Sequence, residues 1–166
     1  MGLTIAYIII GIYSLALLLI FFYSLSQLNL LVNYLGQRRK NKEAPRFNLM
    51  DPREIPFVTI QLPIYNEKYV VGRLLENIAR LEYPKSKLEI QVLDDSTDDS
   101  VGETASKIAD LRKSGLDIQH IRRENREGFK AGALKEGLKI AKGEFIAIFD
   151  ADFLPDADWL KKTVPY

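Results

Sequence analysis

The chain has 166 residues, no cysteine, and 23 basic against 22 acidic side chains, which gives a formal net charge of +1. This length suits one ordinary domain, and the absence of cysteine excludes disulfide bonds and agrees with a reducing compartment. The near-zero charge argues against a nucleic-acid partner, for which a basic face is expected.

The first 37 residues form an apolar segment without a charged side chain. A bilayer core of about 30 Å needs roughly 20 apolar residues in a helix, and residues 3–23 alone meet that length. A cleaved signal peptide is the alternative. It is disfavoured because no basic residue precedes the apolar run and no small-residue cleavage site follows it. We therefore predict a transmembrane helix within residues 1–37.

Basic residues follow this helix directly, namely Arg38, Arg39, Lys40 and Lys42. The positive-inside rule then predicts a single-pass protein of the cell (inner or plasma) membrane whose C-terminal part is cytoplasmic. Residues 38–56 are predicted to be a linker, because they carry several prolines and lack an apolar period. A domain spanning residues 57–166 follows.

Strands and helices alternate through this domain. The sequence predicts strands at 57–62, 88–93, 118–121 and 145–149, and helices from 66 or 67 to 81, from 97 or 98 to 113, from 130 to 141, and from 156 onward. This alternation is typical of an α/β fold with a parallel sheet and helices on its faces. Such sheets bind ligands at the carboxyl ends of their strands, where the polar segments of this chain are expected to meet.

Asp150 and Asp152 come directly after the apolar fourth strand. Two carboxylates this close repel each other unless a cation lies between them. Oxygen ligands favour Mg²⁺ or Mn²⁺ over Zn²⁺. The pair therefore predicts a metal ion that could in turn hold a phosphate.

The segments after the first two strands suit a nucleotide, although each also has a simpler interpretation. The first could place Tyr65 flat against a base with Glu67 nearby, or it could be only a turn and a helix cap. In the second, Asp94 and Asp95 could accept hydrogen bonds from a base or ribose. The aspartates that follow them suit a helix N-terminus, as in a solvated turn.

A glycine turn with a lysine precedes the third predicted helix of the domain. Gly128, Lys130 and the helix N-terminus suit a diphosphate, although the spacing matches neither a dinucleotide fingerprint nor a P-loop. The alternative is a solvated basic turn in which Gly132 permits close helix packing. His120, in the third strand, is interpreted as structural.

Together these segments resemble glycosyltransferase family 2, whose members have the GT-A (Rossmann-like) fold and use nucleotide sugars. The motifs that carry the resemblance occur in the family's order: Pro63-Ile-Tyr-Asn-Glu67, Asp94-Asp95, Lys130-Ala-Gly-Ala-Leu134 and Asp150-Ala-Asp152. Residues 126–134 and 149–155 are similar to the processive membrane branch, which contains cellulose-synthase-like and glucomannan-synthase-like enzymes. The resemblance covers residues 56–166.

This resemblance implies a membrane-anchored hexosyltransferase that moves a sugar from a UDP- or GDP-linked donor to a glycan or lipid acceptor with inversion. By the same resemblance, Mg²⁺ or Mn²⁺ would be bound by Asp150 and Asp152. The residues expected to bind the nucleotide sugar are Pro63, Tyr65, Glu67, Asp94, Asp95, Lys130 and Asp150.

The family's general base is an aspartate well beyond the Asp-x-Asp pair, and Asp156 and Asp158 come too soon to be that residue. We therefore expect a truncated GT-A domain, the donor-binding part of an enzyme, inactive by itself. One alternative is a nucleotide-sugar-binding membrane module without transfer activity. A haloacid-dehalogenase-type phosphatase is disfavoured because its acidic pair follows the first strand. A purely structural membrane protein would not need acids after three strands.

Overall fold

The structure is a computed structural model that describes residues 2–40, 47, 49, 51 and 53–166. The chain divides into two compact units, Met1–Ala44 and Pro45–Tyr166. The side chains of the basic residues at 38–40, the whole of Lys42 and much of the predicted linker lie outside the described part.

The described part of the N-terminal unit is one helix, α1 (Gly2–Lys40). Its segment Gly2–Gly36 is long and apolar enough to cross a membrane, judged by length and composition. At about 1.5 Å per residue such a segment extends roughly 50 Å, which exceeds the hydrocarbon core of about 30 Å. The predicted apolar helix is therefore present, and it continues past the minimum that a span requires.

The second unit is built on a parallel sheet of four strands in the order β3-β2-β1-β4. The strands are β1 (Val58–Ile64), β2 (Leu88–Asp94), β3 (Asp117–Ile121) and β4 (Phe145–Ile148). The helices are α2 (Val71–Ala79), α3 (Ser100–Lys113), α4 (Phe129–Ile140) and α5 (Trp159–Thr163). The chain runs outward from β1 through β2 to β3 and returns to the other side of β1. This reversal leaves a crevice at the carboxyl ends of β1 and β4, where α/β sheets bind ligands.

One face of the sheet is aliphatic. Every second residue of β1, beginning at Val58 and including Ile60 and Leu62, is buried in one core with side chains from α2 and α3. α2 contributes four buried aliphatic residues at helical spacing. Because each buried side chain of this size adds about 1.5–3 kcal/mol, this face supplies most of the apolar packing that holds the sheet to its helices.

The opposite face of β1 and β2, on which α4 packs, is polar but buried. The carboxylate of Glu89, with no exposed side-chain surface, accepts four hydrogen bonds. Their donors are Thr59 Oγ1 at 2.7 Å, Gln119 Nε2 at 2.9 Å, the backbone N–H of Lys142 at 2.9 Å and, at the longer distance of 3.5 Å, Gln91 Nε2. A buried charge is tolerated when it is bonded in this way.

A second polar pair lies farther along the same face. Gln61 Nε2 donates to Gln91 Oε1 at 3.0 Å. The helix comes so close that a Cβ at Gly137 would lie 2.6 Å from Gln61 Nε2. A small residue in α4 thus allows the helix to sit directly on the polar layer.

Three helix starts differ from the sequence-based expectation by two residues or more. α3 begins at Ser100, not at 97 or 98. α2 begins at Val71, not at 66 or 67. Asn66 has a φ of +54°, in the left-handed region, and so cannot be part of a right-handed helix. Instead, the N–H of Val71 donates to the carbonyl of Glu67 at 3.0 Å and closes a turn before the helix. The last helix begins at Trp159, after a turn in which its N–H donates to the carbonyl of Asp156.

Candidate functional site

A cleft of about 480 Å³ lies at the carboxyl ends of the strands, within the size range of small-molecule sites. Its wall includes seven of the residues that the sequence predicts for the site: Pro63, Tyr65, Glu67, Asp95, Lys130, Asp150 and Asp152. A larger groove of about 820 Å³ runs beside α4 and contains none of them. The cleft is therefore the candidate site, because residues from separate parts of the chain converge there.

The acidic end of the cleft is formed by the turn after β4. The side chain of Asp150 is 58% exposed and forms an ion pair with Lys130 Nζ. Lys130 reaches this position from the first turn of α4, which starts after Gly128 in a left-handed conformation. Asp152 has no hydrogen-bond or ion-pair partner among the described residues. One of the two carboxylates is thus neutralised by the protein, while the other is available to a cation.

The acidic pair fits a metal ion that is shared with a ligand. In the described part of the chain, no group of three or more His, Cys, Asp or Glu side chains could hold an ion by itself. Asp150 and Asp152 offer only oxygen atoms, which Mg²⁺ and Mn²⁺ prefer. Mg²⁺ usually binds one or two carboxylates and takes its other ligands from phosphates and water.

The carboxylate of Asp95 forms a two-pronged ion pair with Arg123. Nε of the arginine lies 2.9 Å from Oδ1, and Nη2 lies 2.5 Å from Oδ2. Arg123 also donates to the carbonyl oxygens of Glu127 at 2.9 Å and Phe129 at 3.0 Å. Its hydrogen bonds to Asp95 raise the pKa of Arg123. This arginine therefore ties the end of β2 to the turn that precedes α4.

Tyr65 is covered on one face by an arginine. The guanidinium carbon of Arg126 lies 3.4 Å from the centroid of the Tyr65 ring, a cation–π contact of about 0.5–2 kcal/mol. Nε of Arg126 is 3.8 Å from Oδ2 of Asp95. One face of the ring that the sequence predicts to lie against a base is thus covered by Arg126.

Asp94 does not line the cleft, unlike the other predicted residues. It is 1% exposed, and its carboxylate accepts hydrogen bonds from His120 Nε2 at 2.7 Å and from the backbone N–H of Ser96 at 2.9 Å. Burial raises the pKa of Asp94, but these hydrogen bonds outweigh it and hold the pKa below the usual value. The structure therefore gives Asp94 a supporting role beneath the site, and His120 is its partner.

Arg123 and Arg126 were not predicted as site residues. Both lie in the segment that follows β3, at the same edge of the sheet as the acidic segments. The rule that ligands gather at the carboxyl ends of strands applies to this segment as well. The signal was thus present in the sequence as basic residues directly after the third strand.

The fold and the cleft define a GT-A-like α/β domain with an acidic, metal-compatible edge. The chain belongs to the family Glycosyl transferase family 2, whose model matches residues 59–166. The resemblance inferred from the motifs, including that to glucomannan-synthase-like enzymes, is thereby confirmed.

Several curated relatives are plant mannosyltransferases. Glucomannan 4-beta-mannosyltransferase 1 of Cyamopsis tetragonoloba is 41% identical over 144 residues, which cover 82% of this chain and 27% of the relative. Glucomannan 4-beta-mannosyltransferase 7 of Arabidopsis thaliana is 44% identical over 115 residues, covering 67% and 21%. The chain therefore spans about a quarter of the length of the curated relatives it matches.

Solved structures agree on the fold. The mannosyltransferase PcManGT from Pyrobaculum calidifontis, in complex with GDP-Man and Mn²⁺, has a TM-score of 0.58 and 33% identity, covering 78% of this chain and 39% of that one. TarS 1-349 of S. aureus has a TM-score of 0.55 and 28% identity, covering 64% and 30%. The predicted parallel-sheet, GT-A-like fold is thus confirmed.

Proposed function

We propose that this chain provides the donor site of a membrane-anchored hexosyltransferase that uses a nucleotide sugar, with GDP-mannose as the favoured donor. The observation that carries the proposal is the convergence of Tyr65, Asp95, Lys130 and the Asp150–Asp152 pair in one cleft. These residues come from four separate segments of the chain. The names of the relatives, and the GDP-Man and Mn²⁺ bound to the archaeal mannosyltransferase, support a mannosyl donor. The acceptor is a glycan or a lipid, and the configuration at the transferred carbon is inverted.

Asp150 and Asp152 would hold Mg²⁺ or Mn²⁺, which supplies Lewis-acid stabilisation of the departing diphosphate. Lys130 already lies beside Asp150, so its ammonium group can donate to a phosphate oxygen at the same end of the cleft. Asp95 retains acceptor capacity beyond its two bonds to Arg123 and can accept hydrogen bonds from the nucleoside. Pro63 and Glu67 complete the wall on the β1 side.

In the membrane part of the proposal, residues 1–37 span the bilayer once, residues 38–56 form the basic linker, of which residues 38–40 continue α1, and residues 57–166 form the cytoplasmic domain. The apolar segment Gly2–Gly36 is long enough to support the span, and the basic residues that follow this segment in the sequence support the orientation. A reporter fused after Tyr166 should be cytoplasmic in cells, and an exported reporter would contradict this topology.

The proposal is tested with the full chain in detergent micelles, titrated calorimetrically with GDP in the presence and absence of Mn²⁺. We expect binding that depends on Mn²⁺ and that Asp152→Asn abolishes. Asp156→Asn is the matched control, because this acid also follows β4 but does not line the cleft. No binding by a folded sample would contradict the proposal.

A second assay separates transfer from binding. The same preparation is incubated with GDP-mannose, Mn²⁺ and a mannan oligosaccharide, and the products are analysed by mass spectrometry. Elongation of the oligosaccharide supports an active transferase. Binding of GDP without any transfer agrees with a donor-binding part that is inactive by itself, and equally with the alternative, a nucleotide-sugar-binding membrane module that is catalytically incomplete.

A further inference from the structure

The second half of α1 has a different side-chain pattern from the first. Residues 3–23 are apolar on almost every side of the helix, whereas residues 24–36 divide into two sides. With 3.6 residues per turn, five side chains fall within an arc of about 120°, and this apolar arc consists of Leu25, Leu28, Leu31, Val32 and Leu35. The polar side chains Ser26, Gln27, Asn29 and Asn33 lie outside the arc, together with Leu30. This segment is therefore an amphipathic helix that continues the apolar span.

The apolar arc is uncovered in the described part of the chain. Its five side chains are between 43% and 60% exposed. On the polar side, by contrast, Nδ2 of Asn33 donates to Oδ1 of Asn29 at 3.2 Å, so these amides find a partner within the helix. The arc is thus the side of the segment that lacks a contact.

The length of α1 places the arc outside the hydrocarbon core. The apolar segment Gly2–Gly36 extends roughly 50 Å at about 1.5 Å per residue, against a core of about 30 Å. When residues 3–23 cross the core, the residues after them extend into the headgroup region and water. An uncovered apolar surface is unfavourable there, so we expect the arc to be covered by a partner.

The spacing of the arc identifies a second helix of the same sequence as this partner. Leu25, Leu28, Val32 and Leu35 follow one another in steps of three, four and three residues, as the a and d positions of a heptad do. Val32 then occupies an a position and two leucines occupy d positions, a combination that favours two parallel strands. Two copies of one chain inserted in the same orientation are parallel, and residues 2–37 carry no charge that would repel.

The same stripe continues into the apolar span. Counting back from Leu25 in alternating steps of four and three residues gives Phe21, Leu18, Ser14 and Gly11. Small residues on such a stripe allow membrane helices to approach closely. Two heptads alone are short for a coiled coil in water, but anchoring in one membrane raises the effective concentration of the partners. One face of α1 thus suits pairing both inside and outside the core.

We infer that α1 pairs in parallel with α1 of a second copy of this chain through Leu25, Leu28, Val32 and Leu35. The inference uses the single span proposed above but is independent of the donor site. A lipid surface is disfavoured as the partner, because the segment would have to bend sharply after the span. Sharp bends occur mostly at proline, whereas α1 is one uninterrupted helix without proline.

The absence of cysteine from the chain allows a test by disulfide cross-linking. Leu28→Cys and Leu30→Cys are each reconstituted as the full chain in phosphatidylcholine vesicles and oxidised, and the products are separated on non-reducing gels. A disulfide needs Cα atoms within about 7 Å. Leu28→Cys should therefore form mostly cross-linked dimers. Leu30→Cys is the matched control, since it differs in depth by only about 3 Å but points to the other side of the helix, and it should remain mostly monomeric.

A second measurement asks whether the arc drives the pairing. Copies with donor or acceptor fluorescent proteins fused after Tyr166 are reconstituted together, and energy transfer is followed as the ratio of protein to lipid rises. The double variant Leu28→Gln/Leu35→Gln should need at least about tenfold more protein per lipid for the same transfer, because it places two polar amides in the seam. Leu30→Gln should behave like the wild type. Circular dichroism checks that each variant remains helical.

Each contrary outcome has a distinct meaning. Equal cross-linking at positions 28 and 30 would indicate random collision and overturn the inference. Monomers at both positions would assign the arc to lipid or to a different polypeptide and overturn it as well. Energy transfer that is unchanged in the double variant would also contradict it. Calorimetric titration of the same preparations with GDP and Mn²⁺ tests the proposed function separately, because none of these substitutions lies in the cleft.

Discussion

His120 donates a hydrogen bond from Nε2 to the buried carboxylate of Asp94 at 2.7 Å. The other carboxylate oxygen accepts from the N–H of Ser96 at 2.9 Å, and the hydroxyl of Ser96 accepts from the N–H of Asn66 at 2.9 Å. These bonds join the ends of β1, β2 and β3 beneath the cleft. The contact therefore fixes the loops that carry the candidate site without belonging to its surface.

The first prediction concerns acid stability. The pKa of Asp94 is lower in the folded protein than its ordinary value because the hydrogen bonds of His120 and Ser96 outweigh burial. Such a carboxyl adds stability above its unfolded pKa of about 3.9, and this contribution is lost as the pH falls through the folded pKa. In His120→Leu the pKa of Asp94 should rise, and unfolding should begin at a higher pH.

Urea unfolding at a series of acidic pH values measures this effect. His120→Gln keeps an amide donor at the same position and is the matched comparison, expected to retain part of the acid stability. If the free energy of unfolding fell with decreasing pH in the same way for His120→Leu and the wild type, the hydrogen bond from His120 would not set the pKa of Asp94.

The second prediction concerns the turn before α4. A Cβ at Gly132 would lie 1.9 Å from the carbonyl oxygen of Glu127, so Gly132→Ala must displace the turn that Arg123 holds. We expect a loss of about 1–3 kcal/mol in the free energy of unfolding, as for other overpacked sites, together with weaker GDP binding.

Gly102→Ala is the control for this substitution. Gly102 also lies in a helix, but a Cβ there meets nothing within 4 Å. Alanine should therefore stabilise the protein by about 0.5–1 kcal/mol through its helix propensity. Chemical denaturation of both variants gives the comparison, and equal effects of the two substitutions would contradict the close approach at Gly132.

The third prediction concerns the buried carboxylate of Glu89. Glu89→Ala leaves the donors of Thr59, Gln119 and Lys142 without their acceptor. Because each unsatisfied buried group costs about 1–3 kcal/mol, we expect the free energy of unfolding to fall by about 3 kcal/mol or more. Glu82→Ala, which removes only an exposed ion pair with Lys161, should cost less than about 1 kcal/mol. Thermal and urea unfolding measure both losses of stability. Equal losses for Glu89→Ala and Glu82→Ala would contradict the structural role of the buried Glu89 carboxylate.

The fourth prediction concerns the lysine at the start of α4. Lys130→Met should weaken GDP binding about tenfold or more, because it removes a charge-assisted hydrogen bond to the diphosphate. Lys135→Met lies on the same helix but outside the cleft and should leave the affinity unchanged. Calorimetric titration with Mn²⁺ present measures the affinity of both variants for GDP. Equal affinities would show that Lys130 does not take part in binding GDP.

The sheet and its order of elements could be predicted because alternating apolar strands and amphipathic helices are local patterns. Which of Asp94 and Asp95 faces the cleft could not be predicted from the sequence. Neighbouring residues at the end of a strand point to opposite sides, and only the structure shows which side faces the cleft. The start of α2 was misplaced because the left-handed backbone of Asn66 is imposed by its contacts with Ser96 and Thr97, distant in sequence. The contact of Arg126 with Tyr65 could not be predicted either, because the partner of a long side chain depends on the packing of segments that are distant in sequence.

The polar layer under α4 also governs how the strands align. Thr59 is the register partner of Glu89, and Gln61 is the register partner of Gln91. A shift of β2 by one residue would turn Glu89 toward the aliphatic face of the sheet, and a shift of β1 would do the same to Gln61. Each polar side chain would then lose its hydrogen-bond partners on the polar face. These two hydrogen-bonded pairs therefore favour one alignment of β1 with β2 and destabilise alignments shifted by one residue. The buried polar groups of this layer therefore specify the register in which β1 and β2 pair.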